Sequence, residues 1–141
     1  LQETVTSARY LFAPAGSGLI AGNIFFFQRS DLNTGEDINV GTNTDTRSFL
    51  LTHNLWFAHD DPSQSNPRLT RFEGTHARSW MATPPGFTNP EAGDFHLSAD
   101  SVSSGAGNVA FAPASDFAGR CYAIPPSLGA LEPSPSLNGT P

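Results

Sequence analysis

An all-β fold built from stacked coils is what this sequence predicts, and three observations carry the prediction. A strand–corner–strand phrase is written twice, as Leu19-Ile20-Ala21-Gly22-Asn23-Ile24-Phe25-Phe26-Phe27 and as Leu50-Leu51-Thr52-His53-Asn54-Leu55-Trp56-Phe57-Ala58. The copies lie 31 positions apart, within the roughly 20–50-residue periods of solenoids and other repeat architectures. No stretch carries the period of an amphipathic helix or a heptad, and 13 Gly with 12 Pro in 141 residues is a loop-rich composition.

The elements follow in order. Ala8-Arg9-Tyr10-Leu11-Phe12-Ala13 reads as a strand, stopped by Pro14 and the Gly16-Ser17-Gly18 turn. In the first copy, aligning Asn23 on Asn54 sets Leu19 on Leu50, Ile20 on Leu51, Ile24 on Leu55, Phe25 on Trp56 and Phe26 on Phe57. Asn tolerates a left-handed backbone and its amide bonds nearby main chain, so Asn23 and Asn54 are the expected structural corners. Asp31–Asp37 is a turn-rich loop, Ile38-Asn39-Val40 a minimal strand, and the second copy runs from Ser48 to Ala58. His59–Pro67 reads as an exposed loop, after which the repeat is expected to lapse, because Pro85 stands where the next Asn would fall. Three regions result: coils over 1–83, a C-terminal closing segment over 84–132, and a Pro/Ser-rich tail over 133–141 that is expected to be disordered in isolation.

Composition narrows the function classes. A net charge of −6, with seven basic residues that are all Arg, argues against a nucleic-acid surface, which needs clustered positive charge. Cys121 is the single cysteine, so no internal disulfide and no Cys-based metal spacing exists. No apolar run approaches the roughly 20 residues of a transmembrane helix. The chain opens at Leu1 rather than Met, which is expected of a processed leader or of the end piece of a longer protein.

The ordered phrases Asn54-Leu55-Trp56-Phe57, Phe87-Thr88-Asn89-Pro90, Gly93-Asp94-Phe95-His96-Leu97, Asp116-Phe117-Ala118-Gly119-Arg120 and Leu128-Gly129-Ala130-Leu131-Glu132 carry a resemblance. Over about Leu19 to Glu132 the chain resembles the last coils and closing segment of secreted right-handed parallel β-helix proteins of the pectate-lyase-like superfamily. Ser101-Val102-Ser103-Ser104-Gly105 departs from the pattern, since that family carries a Ser-Pro-Ala-Ile-Asp phrase there. The resemblance implies a right-handed parallel β-helix of few coils and a secreted or cell-surface location. Its phrases are structural and name no chemistry.

Candidate site residues are weighed one by one. Asn43-Thr44-Asp45, Asp60-Asp61 and Gly74-Thr75-His76 echo the acidic set of polygalacturonase-type glycosidases, where paired carboxylates act as acid and base. Asp45 and Asp60 are only 15 positions apart, half the repeat, so they do not stack one coil apart and read as turn residues. A lyase would take its base from Arg29, Arg47, Arg71 or Arg78, with Ca²⁺ held by Asp31, Glu36, Asp37 and Asp45; a solvated acidic turn is the plainer reading. His53 reads as a solvent-facing corner residue, His96 as packing or hydrogen bonding, and Cys121 as a small buried residue. Neighbouring aromatics on a strand alternate faces, so some of Phe25, Phe27, Trp56 and Phe57 are expected exposed, where a ring stacks on a sugar or seals a subunit contact. Asn138-Gly139-Thr140 is a glycosylation sequon.

The expected function is an extracellular or cell-surface β-helix module acting through binding or assembly, end-to-end filament formation included, rather than catalysis. The alternative is the C-terminal fragment of a polysaccharide lyase or glycoside hydrolase whose catalytic coils lie upstream. Expected partners are other copies of the chain or upstream coils, with polysaccharide as a further ligand class and no nucleic acid. No catalytic residue, resident metal or cofactor is assigned, Ca²⁺ being the one alternative.

Overall fold

Each copy of the repeated phrase becomes two four-residue strands around a corner. The computed structural model describes residues 18–32, 37–38, 46–69, 76–77 and 80–133. In it β1 (Gly18–Ala21) and β2 (Ile24–Phe27) flank the first corner, and β3 (Phe49–Thr52) and β4 (Leu55–Ala58) the second. Two shorter strands follow, β5 (His76–Ala77) and β6 (Trp80–Met81). They sort into two parallel sheets, ordered β1-β3-β5 and β2-β4-β6. Leu19 lies opposite Leu50, and Phe25 opposite Trp56. These are the pairs that the sequence alignment sets together. A third side keeps the same spacing: the Asp37 N–H donates to the Arg68 carbonyl at 2.9 Å, and Ile38 and Leu69 pack in one cluster.

The expected lapse of the repeat is corrected. A third rung forms at a shorter spacing, with Leu51 opposite His76 and Leu55 opposite Trp80, 25 positions on in both cases. A parallel ladder requires strands in register and a return connection, not one fixed connection length, so a coil can shorten in its loop while its strands stay aligned. An alignment on Asn at constant period misses such a rung. The strand expected at Ala8–Ala13, the tail over 134–141, Asp45 and Asn138 lie outside the described residues.

Two clusters fill the molecule, one on each face of β2 and β4. Inside the coils, Leu51, Trp56 and Leu69 are buried with Ile20, Phe25, Phe27, Ile38 and Phe49 around them. On the opposite face, Leu55, Phe57 and Leu128 are buried with Ile24, Phe26 and Ala106. The strand alternation that sends Phe25 and Trp56 inward therefore sends Phe26 and Phe57 outward. The expectation of exposed aromatics is corrected for both Trp56, 3% exposed, and Phe57, 8% exposed, while Phe25 and Phe27 are half-buried. Trp56 is covered inside the coils by Leu51, Leu69 and Phe25, and Phe57 by the closing segment, whose Leu128 and Ala106 cover the outer face that a free coil would show to water. Phe25 stacks on Trp56 at 3.9 Å between centroids, and Phe26 on Phe57 at 6.0 Å.

The closing segment starts with an antiparallel pair, β7 (Phe87–Asn89) and β8 (Asp94–Leu97), joined by a 3₁₀ turn over Pro90–Ala92. Asn89 caps that turn by accepting the Ala92 N–H at 3.3 Å, and Gly93 leaves it at φ 78°. Beyond β8 the described chain runs as turns, held by two carboxylates. Asp116 accepts the N–H groups of Arg120 at 2.8 Å and Glu132 at 3.2 Å. Glu132 accepts the Ser127 N–H at 2.8 Å and its hydroxyl at 2.7 Å. The phrases Asp116–Arg120 and Leu128–Glu132 are thus fastened to one another, with the Phe117 N–H donating to the Ala130 carbonyl at 2.7 Å.

Truncating Leu55, which is fully buried against Phe57 and Leu128, is expected to lower stability by about 3 kcal/mol in urea unfolding. Ala82 sits at φ 56° on the surface. Ala82→Gly should raise stability by about 0.5 kcal/mol, because relief of the left-handed backbone outweighs the added chain entropy.

Candidate functional site

The first-rung corner and the two clefts beside it form the candidate site. The corner turns at the residue before each Asn: Gly22 has φ 73° and His53 φ 51°. The left-handed position expected of Asn therefore belongs to its neighbour, which frees the Asn side chain to bond along the stack. Asn54 is completely buried. Its Oδ1 accepts both the Asn23 backbone N–H and the Asn23 Nδ2, each at 3.1 Å, and its Nδ2 donates to the Ile20 carbonyl at 2.8 Å. Asn23, on the exposed first rung, turns its Nδ2 also to the Ala21 carbonyl at 3.0 Å.

His53 is buried, which corrects its reading as a solvent-facing corner residue. Its Nδ1 lies 2.8 Å from Thr52 Oγ1, and its ring meets the edge of Phe111 at 6.5 Å. The closing segment again supplies the cover.

That segment also ties to the first corner, where the Gly129 N–H donates to the Gly22 carbonyl at 2.7 Å. Gly129 has φ 84°, and a Cβ there would press on Ile24 Cδ1 at 3.0 Å, so glycine is required on both counts. Two clefts open on either side of this tie. The first, about 330 Å³, brings Asn23 together with Asn108, Phe111, Tyr122 and Ser127. The second, about 410 Å³, is walled by Phe26, Phe87, Phe95, Leu97, Leu128 and Leu131. Tyr122 donates its hydroxyl to the Gly129 carbonyl at 3.1 Å; burial, with the charges of Asp116 and Glu132 adding to it, pushes the phenol above its ordinary value. Sequence reading missed Asn108, Phe111 and Tyr122, since no motif marks them. The glycine of the Leu128-Gly129-Ala130 phrase was the one available signal.

The acidic candidates are placed apart from these clefts. Asp60 accepts the backbone N–H of Arg29 at 2.7 Å and of Ser30 at 3.0 Å, capping the 3₁₀ turn Arg29–Asp31 one rung away. The Arg29 N–H, followed by that of Ser30, holds its carboxyl down at about 2. Asp61 caps the next turn, accepting the Ser63 N–H at 3.2 Å and its hydroxyl at 2.6 Å. Asp37, read as part of a solvated acidic turn with Ca²⁺ as the alternative, is corrected to an anchor whose side chain is buried. Its carboxylate meets Arg29 Nη1 at 3.0 Å and the Arg68 N–H at 2.8 Å, Nε at 3.1 Å and Nη2 at 2.9 Å. Burial pushes that carboxyl up, and the Arg68 N–H with the two guanidinium groups outweighs it, leaving the group below its ordinary value. Arg29, expected as a candidate base, also donates to the carbonyls of Gln64 and Asn66 and lies 4.6 Å over the Phe27 ring. Its donors are committed to the fold. Cys121 is exposed, which corrects its reading as a buried residue.

Among the described residues no three His, Cys, Asp or Glu side chains gather as a metal site, and no helix is long and apolar enough to cross a membrane. Comparison with protein-family models, curated proteins and solved structures finds no match.

Depressed carboxyls make a signed prediction for acid. Asp60 falls from 3.8 in the unfolded chain to about 2 in the fold, so its contribution is present above pH 3.8 and is lost as pH drops toward 2. Asp37, Asp94 and Asp116 are lowered too and act in the same direction. Acid unfolding followed by tryptophan fluorescence should therefore be less steep for Asp60→Asn than for the parent. Asp37→Ala, which removes the carboxylate that Arg29 and Arg68 share, should cost about 2 kcal/mol in urea at neutral pH.

Proposed function

We propose that this chain is a β-helix module of the pectate-lyase-like kind that works outside the cell or at its surface, through binding or assembly rather than chemistry. The observation that carries the reading is the pair of parallel ladders joined at the Asn23–Asn54 corner. A coil of this kind buries little by itself and gains its core from the coil stacked on it. Every added rung repeats the same contacts, so the architecture favours association along the stack.

The polar chemistry supports the same reading. Asp60 and Asp61 spend their oxygens on turn N–H groups, and Asp37, Asp116 and Glu132 hold backbone and guanidinium partners. These are the bonds of a scaffold. The surface around them is apolar in places: Phe117 and Ile124 are each 89% exposed, and Phe95 stands at the mouth of the second cleft. Exposed rings and aliphatics of this size suit contact with another surface.

Negative-stain microscopy with light scattering on the 141-residue chain tests the proposal. Fibres or large discrete particles are expected. A folded monomer that also ignores polysaccharides in a binding screen would overturn it, and glycan cleavage by the purified chain would favour the enzyme-fragment alternative.

A further inference from the structure

We infer that the first cleft, at the corner beside Asn23, holds one ring of an uncharged saccharide, with Asn23, Asn108 and Phe111 as its contacts. This rests on the binding arm of the reading above and gives it a site and a ligand class.

The two carboxamides reach the cleft with opposite halves unspent. Asn108 Oδ1 accepts the Ala110 N–H at 3.0 Å, and no acceptor among the described residues takes its Nδ2. Asn23 is the reverse. Its Nδ2 donates to Asn54 Oδ1 and to the Ala21 carbonyl, and no donor among the described residues reaches its Oδ1. The lining thus supplies one amide donor and one amide acceptor, each on a side chain whose other polar atom is fixed by the fold. Neighbouring hydroxyls of a sugar ring match such a pair, because each hydroxyl both gives and takes a hydrogen bond.

An aromatic ring stands beside them. Phe111 is 38% exposed, and its backbone N–H donates to the Asn108 carbonyl at 3.0 Å, so ring and amide belong to one closed turn. Contact with the buried His53 ring steadies it. A ring held in place before the ligand arrives loses little entropy on binding, and its face suits the C–H side of a sugar. Tyr122 and Ser127 complete the wall with hydroxyls already committed to the Gly129 carbonyl and the Glu132 carboxylate.

Charge and size narrow the class. None of the residues lining the cleft is charged, and the chain as a whole carries −6. A uronic acid or a sulfated sugar would lose its water there with no cation to meet it. Asp116 and Glu132, the charges felt at Tyr122, are negative and oppose an acidic sugar further. The volume of about 330 Å³ lies at the small end of ligand pockets, which run from about 300 to 1,000 Å³, and suits a single ring. An extended peptide, the other class that amides recognise, docks along a strand edge or groove with a row of main-chain partners. A compact corner with two unspent amides favours the sugar.

Saturation-transfer NMR and isothermal titration calorimetry on the full chain test the site. The probes are neutral oligosaccharides of glucose, galactose and mannose, polygalacturonate, and a pool of random hexapeptides. A neutral oligosaccharide is expected to bind, and polygalacturonate is not. Asn108→Asp keeps the oxygen that caps Ala110, removes the donor and adds a negative charge. Its affinity should fall about tenfold or more, the equivalent of one lost hydrogen bond to a ligand. Phe111→Leu keeps bulk against His53 but removes the aromatic face, and should weaken binding by a similar factor. Circular dichroism checks that each variant keeps the parent fold; if Phe111→Leu does not, Asn108→Asp decides alone. Equal affinity in the parent and Asn108→Asp puts the sugar elsewhere and overturns this site, while the binding reading stands. Tighter binding of polygalacturonate, or binding of hexapeptides alone, overturns the ligand class. A chain that assembles and binds no saccharide loses this inference and keeps the assembly reading, and a chain that does neither loses both.

Discussion

A carboxamide with no exposure to water has to be bonded in full, and Asn54 sets the terms on which this chain stacks. Its oxygen needs the first corner directly overhead, and its amide needs the Ile20 carbonyl within 2.8 Å. Both requirements fix the register of β1 on β3 and of β2 on β4. A slip of one residue would strand the amide and reverse every side chain in both strands. The stacked rings of Phe25 on Trp56 follow from that register. So does the Asp60 cap, which meets Arg29 and Ser30 one rung away.

The second constraint is that both faces of β2 and β4 are apolar. A coil has one inside, and the sequence Ile24-Phe25-Phe26-Phe27 above Leu55-Trp56-Phe57-Ala58 provides large side chains for two. The closing segment resolves this by lying along the outer face, with Leu128 as its main contact. That segment has few ladder bonds of its own. Its shape depends instead on Asp116 and Glu132, whose burial is tolerable because backbone N–H groups reach them. Scaffold and cover are interdependent: each buries the other's apolar surface.

Much of the stack was legible in the sequence because strand alternation and corner chemistry are local. Asn23 over Asn54 and Leu19 over Leu50 follow from a repeat that can be read by eye, and the ladder pairs those residues. The third rung was not legible, since its coil is shorter and Pro85 falls where a constant period puts the corner. Nor was the burial of Phe57 and His53, because the residues that cover them, Leu128 and Phe111 among them, lie some 60 to 70 positions away in a segment with no periodic pattern.

The candidate site divides along the same line. By itself the sequence determined the spacing of the first two rungs, the identity of the corner amides and the preponderance of strands and loops among the described residues, which rest on contacts between like positions at one fixed offset. Only the tertiary structure decided that Gly129 ties down the Gly22 carbonyl and that Asn108, Phe111 and Tyr122 gather at the first corner. Those outcomes depend on how a long irregular segment folds back over the coils. Its path is set by buried carboxylates and by the apolar face awaiting cover, and neither leaves a period in the sequence.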